Sequence, residues 1–401
     1  MKLKIAVFFG GESVEHEVSI ISGHQAMAAL DKSKYDVIPV YISKDRKFYC
    51  SPLLEDMKNY TDLNVLVRKC TQVVLVNEDN QVLIKPAKGG LFQKPVSSVD
   101  VAIPVVHGTN GEDGTLQGFL EMLKVPYAGC NVVAAAIGQD KVLQKYALAG
   151  SGLPVTDWFW CYGSEMEEKK QEILDQVHKI GYPVILKPAC TGSSVGINVA
   201  HSDEEYWKGF EDTATFDFKV ITEQMVKPLR EINCSVLGDS FHAQASVLEE
   251  VGKGIQNELL TYKDKYQGGG KSAKQSGASK GMASTTRIVP APLSEEQTKT
   301  IKDLALKTFK ALGSSGVARI DFMMNGDTGR IYVNEINTIP GSLAFYLWQE
   351  EGVSFSELMD RLIKLALDRQ RRQSKMTFSY DTNLLATYNA GGVKGGKGAK
   401  R

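Results

Sequence analysis

The spacing of apolar and polar positions changes several times along the chain. Residues 3–9 (LKIAVFF) form an unbroken apolar run, the pattern of a strand buried on both faces. Gly10 and Gly11 turn the chain, and Val14, Val18 and Ile21 then recur at helical spacing, predicting a helix from about Ser13. YDVIPVYI (35–42) predicts a second strand, and VDVAIPVVHG (99–108) predicts another that ends in a glycine-rich loop. Strand, helix, strand in that order predicts a parallel α/β sheet. Between them, QVVLVNEDNQVLIK (72–85) has two β-branched runs around a polar turn at 77–80, which predicts a hairpin. Residues 43–98 read as an embellishment of a first domain, 1–130.

From about 131 the pattern shifts. Residues 131–150 are Ala-rich and helical, followed by a helix near 165–180 and by PVILKPA (183–189), INVAHS (197–202) and KVITEQMV (219–226), which suit a small α+β domain over 131–223. A third block, 224–371, contains strands EINCSVLGD and FHAQASVLEEV and a polar loop at 263–284 whose Gly, Ser and Lys favour mobility over packing. In the same block Ser294 and Gln297 predict a capping box. Strands GVARIDFMM and RIYVNEINT and a closing amphipathic helix, SFSELMDRLIKLALDR, complete it. The tail, 372–401, ends in GGVKGGKGAKR, a disordered composition.

The length of 401 residues calls for two or three domains, and the 47 basic residues balance the 47 acidic ones. That balance gives no electrostatic case for nucleic acid as a partner. The six cysteines are scattered without a C-x-x-C pair, as reduced thiols are and as disulfide frames or zinc sites are not. The opening MKLKIAVFFGGE reads as a first strand and not a signal peptide, and no apolar run approaches the roughly 18 residues of a membrane span. A cytoplasmic enzyme is the simplest class.

Several groups of residues carry chemistry. Glu335 and Asn337 alternate onto one face of a strand, as Arg319 and Asp321 do on the strand before it. A tight connection near 326–329 would pair these strands and bring two acids, an amide and an arginine together, oxygen donors of a kind that suits Mg²⁺ carrying nucleotide phosphates. Lys187 ends an apolar strand, and the following Gly192–Gly196 loop, with its backbone N–H groups and hydroxyls, can cradle phosphate. His107 opens HGTNGEDG at the carboxyl end of a strand, where ligands of open α/β sheets bind. Lys141 begins a helix, and Glu15 and Ser19 lie in the first turns of the first helix. Each group alone is also an ordinary surface feature, but their joint order describes phosphoryl transfer by positioning and charge neutralisation. GGESVEHE does not fit G-x-G-x-x-G, and Walker A, G-x-S-x-G and H-E-x-x-H motifs are absent.

GGESVEHEVSIISG resembles the opening loop of the D-alanine–D-alanine ligase family, and HGTNGEDGTLQG is similar to that family's second signature. KPACTGSSVGI, RIDF and NEINTIPG match its lysine, glycine-loop, arginine and metal-binding motifs, in family order from residue 10 to 341. The resemblance implies a three-domain ATP-grasp fold: an N-terminal parallel-sheet α/β domain, a small central α+β domain and a larger C-terminal α+β domain, with ATP between the last two. It implies phosphorylation of one D-alanine by ATP and attack of a second on the acyl phosphate, for peptidoglycan synthesis, with D-serine or D-lactate as alternative acceptors and a non-catalytic nucleotide-binding protein as the rival reading.

The resemblance also assigns roles to individual positions. Lys141, Lys187, Ser194, Glu223, Met225, Glu231 and Lys265 would hold the nucleotide, with Glu223 at the adenine end and Glu231 at the ribose. Asp321, Glu335 and Asn337 would hold two Mg²⁺ ions, or Mn²⁺ in their place. Arg319 and the Gly341 backbone would stabilise an oxyanion, while Glu15 and His107 would place the first amino acid. Ser193 and Tyr266 would join Glu15 in fastening a flap, 262–284. Where the family carries Ser-Leu for the second substrate's carboxylate, this chain carries Tyr346-Leu347, and Tyr is far bulkier than Ser. The family carries the expectation of a homodimer.

Overall fold

The computed structural model describes residues 2–88, 94–192, 195–252 and 287–381. The expected flap and the end of the tail lie outside the described residues, as do Ser193, Ser194, Lys265 and Tyr266.

Three sheets organise the chain. The first contains β1 (Leu3–Gly10), β2 (Tyr35–Ile42), β3 (Phe48–Cys50), β4 (Thr71–Glu78), β5 (Gln81–Pro86), β6 (Ser97–Val99) and β7 (Val101–Pro104), in the order β6-β5-β4-β3-β2-β1-β7. Only β2, β1 and β7 run parallel; the 43–98 segment extends the same sheet with antiparallel strands, including the expected hairpin. The strand expected over 99–108 is shorter, and 105–108 leave the sheet as the site loop. Alternation on β1 explains its unbroken apolar run. Ile5, Val7 and Phe9 enter one core with the helices His16–Ala29 and Phe355–Gln373, while Ala6 and Phe8 enter another with the helix Thr115–Met122. Gly10 adopts φ +94°, and any Cβ there would collide with the Ile42 carbonyl.

The second sheet has β8 (Trp158–Tyr162), β9 (Val184–Pro188), β10 (Asn198–Ala200) and β11 (Lys219–Gln224), ordered β10-β9-β11-β8. The third has β12 (Leu229–Gly238), β13 (Ala243–Val251), β14 (Arg287–Ile288), β15 (Gly316–Asn325) and β16 (Ile331–Asn337), ordered β14-β13-β12-β15-β16. All pairings in these two sheets are antiparallel.

The packing divides the chain differently from its linear blocks. The Ala-rich stretch forms two helices, Val132–Gln139 and Lys141–Gly150, because the Asp140 carboxylate caps the second by accepting from the Val142 and Leu143 N–H groups. Ile137, Ala147, Leu148, Leu153 and Val155 then pack into the core of the third sheet with the helix Glu295–Ala311. This part of 131–157 therefore packs on the third sheet, while Val142 faces Ala189 and Ile221 of the second, whose strands all lie within 158–224.

The closing helix packs between the first sheet and the β12–β15 end of the third, with Leu237 and Val317 in its core. Burial of its Leu358, Met359, Leu362 and Ile363 against the N-terminal core contributes roughly 1.5–3 kcal/mol each. Ser294 and Gln297 form the expected capping box. All six cysteines are free thiols. No helix among the described residues is long and apolar enough to cross a membrane.

Candidate active site

The β15–β16 hairpin pairs Arg319 with Asn337 and Asp321 with Glu335, as strand alternation predicts. Arg319 donates Nε and Nη2 to the two Asp321 oxygens, each at 2.7 Å, and Asn337 Nδ2 donates to Asp321 Oδ2 at 3.0 Å. Burial raises the Asp321 carboxyl above the usual range against the pull of Arg319, and the nearby Glu335 charge raises it further. Two half-buried carboxylates and an amide oxygen are hard donors, the repulsion between the two acids is one a divalent cation would relieve, and a carboxylate engaged by Arg and Asn retains free lone pairs. The donor set fits Mg²⁺.

Lys187 joins this row from the second sheet. Its ammonium lies 3.1 Å from Glu223 Oε1 and 3.4 Å from Asn334 Oδ1, the β16 residue beside Glu335. The second and third sheets thus enclose one cleft, with Lys187 and the carboxylate row on its two walls. Pairing of Ile221 with Lys187 and of Glu223 with Ile185 places Lys187 and Glu223 on one face of the sheet.

Glu223 also meets a lysine that the motifs did not single out. Lys145 Nζ sits 2.7 Å from Glu223 Oε2 and donates to Thr156 Oγ1 at 2.9 Å, while the Thr156 hydroxyl donates to Glu223 Oε2 at 3.0 Å. Burial alone would push the Glu223 carboxyl up, but Lys145 and Lys187 together hold it well below the usual range. The signal for Lys145 was its position one turn beyond Lys141, on the same helix face. Lys141 instead donates Nζ to the Thr191 carbonyl at 2.8 Å, at the mouth of the glycine loop.

That loop meets the first helix at Glu15. A Cβ on Gly192 would stand 3.4 Å from Glu15 Oε2, and one on Gly108 would stand 3.2 Å from the same oxygen. Glu15 is buried, so both motifs converge on its carboxylate. His107, also buried, bonds Ser22 Oγ through Nε2 at 2.9 Å, and the Ser342 N–H donates to the same hydroxyl at 3.1 Å. Burial lowers the His107 pKa, with Glu15 opposing, which favours the neutral ring.

Glu112, from the same loop, was not among the sequence candidates. It accepts from the Gly108 N–H at 2.9 Å, and burial together with the Glu15 charge pushes it up to about 8. The turn after Asn337 places Ser342, Leu343 and Ala344 at φ 53°, 53° and 50°, a left-handed stretch costing about 1–2 kcal/mol per residue. The Ser22–Ser342 bond and the burial of all three side chains hold it in place. The same turn contains Gly341 and leads into the helix Phe345–Gln349, which the sequence did not foretell.

Tyr346 donates its hydroxyl to Glu249 Oε1 at 2.7 Å, whereas Leu347 is fully buried and presents no surface to a ligand. Met225 follows β11, and Glu231 lies on β12 opposite Met323, so both occupy the crossing from the second sheet to the third.

Known proteins resemble this chain in sequence and fold. A family model described as D-ala D-ala ligase N-terminus matches residues 4–130, and one described as D-ala D-ala ligase C-terminus matches residues 147–364. The D-alanine–D-alanine ligase of Thermosipho melanesiensis is 38% identical over 384 residues, 96% of this chain and 98% of that protein. The solved D-alanine-D-alanine ligase of Coxiella burnetii superposes with a TM-score of 0.76 at 31% identity, covering 93% of this chain and 96% of its own. The VanG D-Ala:D-Ser ligase of Enterococcus faecalis superposes with a TM-score of 0.73 at 27% identity, covering 91% and 100%.

Proposed function

Because the chain belongs to the D-alanine–D-alanine ligase family, we propose that it joins two D-alanines into D-alanyl-D-alanine for peptidoglycan, with conversion of ATP to ADP and phosphate. The observation that carries the site assignment is the reach of Lys187 across the cleft to Asn334, beside Glu335. It joins a phosphate-type cation on one sheet to a metal-type carboxylate row on the other.

In this mechanism the first amino acid lies between Glu15 and His107. Glu15 pairs with its ammonium, and the neutral His107, steadied by Ser22, orients its carboxylate. Lys141 and Lys187 offset charge on the ATP phosphates as the carboxylate attacks the terminal one and ADP leaves. Glu223 takes the adenine end, Met225 and Glu231 continue the nucleotide site, and Ser194 and Lys265 complete it. Asp321, Glu335 and Asn337 would hold two Mg²⁺ ions, or Mn²⁺, which when bound neutralise phosphate charge as Lewis acids. The acceptor amine then adds to the acyl phosphate, and Arg319 with the Gly341 N–H stabilises the tetrahedral oxyanion until phosphate departs. Ser193 and Tyr266 close with Glu15 over the site, since an acyl phosphate must be kept from water. A cytoplasmic homodimer is part of the same proposal.

Purified protein supplied with ATP, Mg²⁺ and D-alanine should release ADP and yield the dipeptide. Glu335→Gln should lower turnover by about 10²–10³-fold while leaving the thermal transition in place. Turnover with D-serine or D-lactate but none with D-alanine would refute the assigned acceptor, and full activity of Glu335→Gln would refute the metal assignment.

A further inference from the structure

We propose that Arg287 receives the carboxylate of the acceptor amino acid, held in position by Glu249 and Tyr346; the inference rests on the dipeptide-forming function above. An amino acid that attacks through its amine brings an anionic carboxylate into a cleft already lined by Asp321, Glu335 and Glu249. A cation with unused donors must meet it there.

The row of site residues extends farther than the metal ligands. Glu249, Asn233, Asp321 and Glu335 stand directly opposite one another across β13, β12, β15 and β16 and so share one face. Glu249 is fully buried and accepts from Asn233 Nδ2 at 2.9 Å, Tyr346 Oη at 2.7 Å and Arg287 Nη1 at 3.1 Å. The Arg287 guanidinium lies over the Tyr346 ring, 4.8 Å from its centroid. Glu249 is two strands from Asp321 along the row and its charge acts on both Arg319 and Asp321, so this group adjoins the reaction centre.

Among the described residues near the row, Arg319 and Lys187 already have the oxyanion and phosphate roles assigned above. Arg319 gives two donors to Asp321, and Lys145 and Lys187 share Glu223. Arg287 spends Nη1 on Glu249, and its buried Nε–H has no hydrogen-bond partner among the described residues. A guanidinium carries five donors in a planar fork, so Nε with an Nη group can take a carboxylate in the bidentate mode.

Tyr346 occupies the position where the family resemblance expects a small hydroxyl residue for this carboxylate. Its only hydroxyl proton already goes to Glu249, and a second carboxylate would meet a lone pair instead. The anchor therefore moves to Arg287, whose orientation Glu249 and the Tyr346 ring fix. Arg287 and Arg319 offset Glu249 and Asp321, which leaves Glu335, an assigned Mg²⁺ ligand, as the remaining acid of the row. This contact selects for a carboxylate on the acceptor and does not distinguish D-alanine from D-serine.

The test offers D-alanine and D-alaninamide as competing acceptors to the full chain with ATP and Mg²⁺, and scores dipeptide against dipeptide amide by mass spectrometry. Acyl phosphate formation is followed separately by trapping with hydroxylamine. The wild type should prefer the carboxylate acceptor by about 10- to 100-fold, the worth of a charged hydrogen bond. Arg287→Met should lose that preference while hydroxamate formation keeps its D-alanine dependence, and Arg287→Lys should recover part of it. A preference retained by Arg287→Met overturns the inference, as does a parallel fall in both reactions that Arg287→Lys does not relieve. A wild type that forms neither hydroxamate nor dipeptide fails differently, and takes the proposed function down with the inference.

Discussion

Glu223→Gln is the sharpest probe of how this cleft is held. The side chains of Lys145, Glu223 and Lys187 are 1%, 2% and 8% exposed, so the substitution keeps the shape but strands two buried ammonium groups around a neutral amide. The contacts at 2.7 Å and 3.1 Å, with the Thr156 hydroxyl at 3.0 Å, lose their anion together. Removing one partner from a buried ion pair costs about 3–5 kcal/mol, against well under 1 for an exposed pair. Trp158 is paired with Glu223 across β8 and β11, so urea unfolding followed by tryptophan fluorescence reports on this sheet. Adding Lys145→Met to the variant removes one stranded charge and should recover at least half of the loss.

The pH dependence carries a sign. Despite burial, the two lysines hold the Glu223 carboxyl far below the ~4.3 of an unfolded glutamate. Its contribution is then fully present above ~4.3 and is lost only as pH falls below that value. The gap between wild type and variant should stay flat from about pH 8 to 5.5 and narrow below about 4.5. A loss under about 1 kcal/mol at neutral pH, or a gap that changes between pH 6 and 8, would refute the buried triad.

Two further outcomes follow from the loops at Glu15. Glu112, held at about 8 by burial and the Glu15 charge, keeps its proton in the folded protein at pH values where the unfolded chain has released it. Because its folded pKa is the higher one, stability from this group falls as pH rises toward about 8, and Glu112→Gln, which mimics the protonated acid, should gain in thermal stability over wild type across that window. A difference that is the same at pH 5.5 and pH 8.5 would contradict this. Ser22→Ala leaves His107 and the Ser342 N–H without their buried partner at a cost of about 1–3 kcal/mol. Saturation kinetics should then show a higher KM for the first amino acid with a smaller change in kcat, and an unaltered KM with an unaltered melting temperature would count against the link.

The sequence alone carried what depends on local period and short spacing. Alternation placed Arg319 with Asp321 and Glu335 with Asn337, and the polar turn near 326–329 was enough to pair the two strands, because a hairpin register is set by its turn. The unbroken apolar run at 3–9 announced a strand covered on both faces, and Ser294 with Gln297 marked a helix start. Motif order from Glu15 to Asn337 supplied the family, whose motifs are contiguous and need no knowledge of packing.

Only the tertiary structure decided which charges meet. Lys145 and Glu223 are 78 positions apart, and nothing periodic links them until the capped helix Lys141–Gly150 lies against the second sheet. The packing of Ile137, Leu148 and Val155 on the third sheet, and of the closing helix between the first and third, is likewise a matter of which apolar faces find one another. Tyr346 read as a bulky replacement for a small residue, yet its hydroxyl is turned to Glu249 on β13, 97 residues before it, and its ring to Arg287 on β14. Local pattern fixes which way a side chain points from its own strand; the free energy that decides its partner comes from burial of distant surfaces, which no short window of sequence contains.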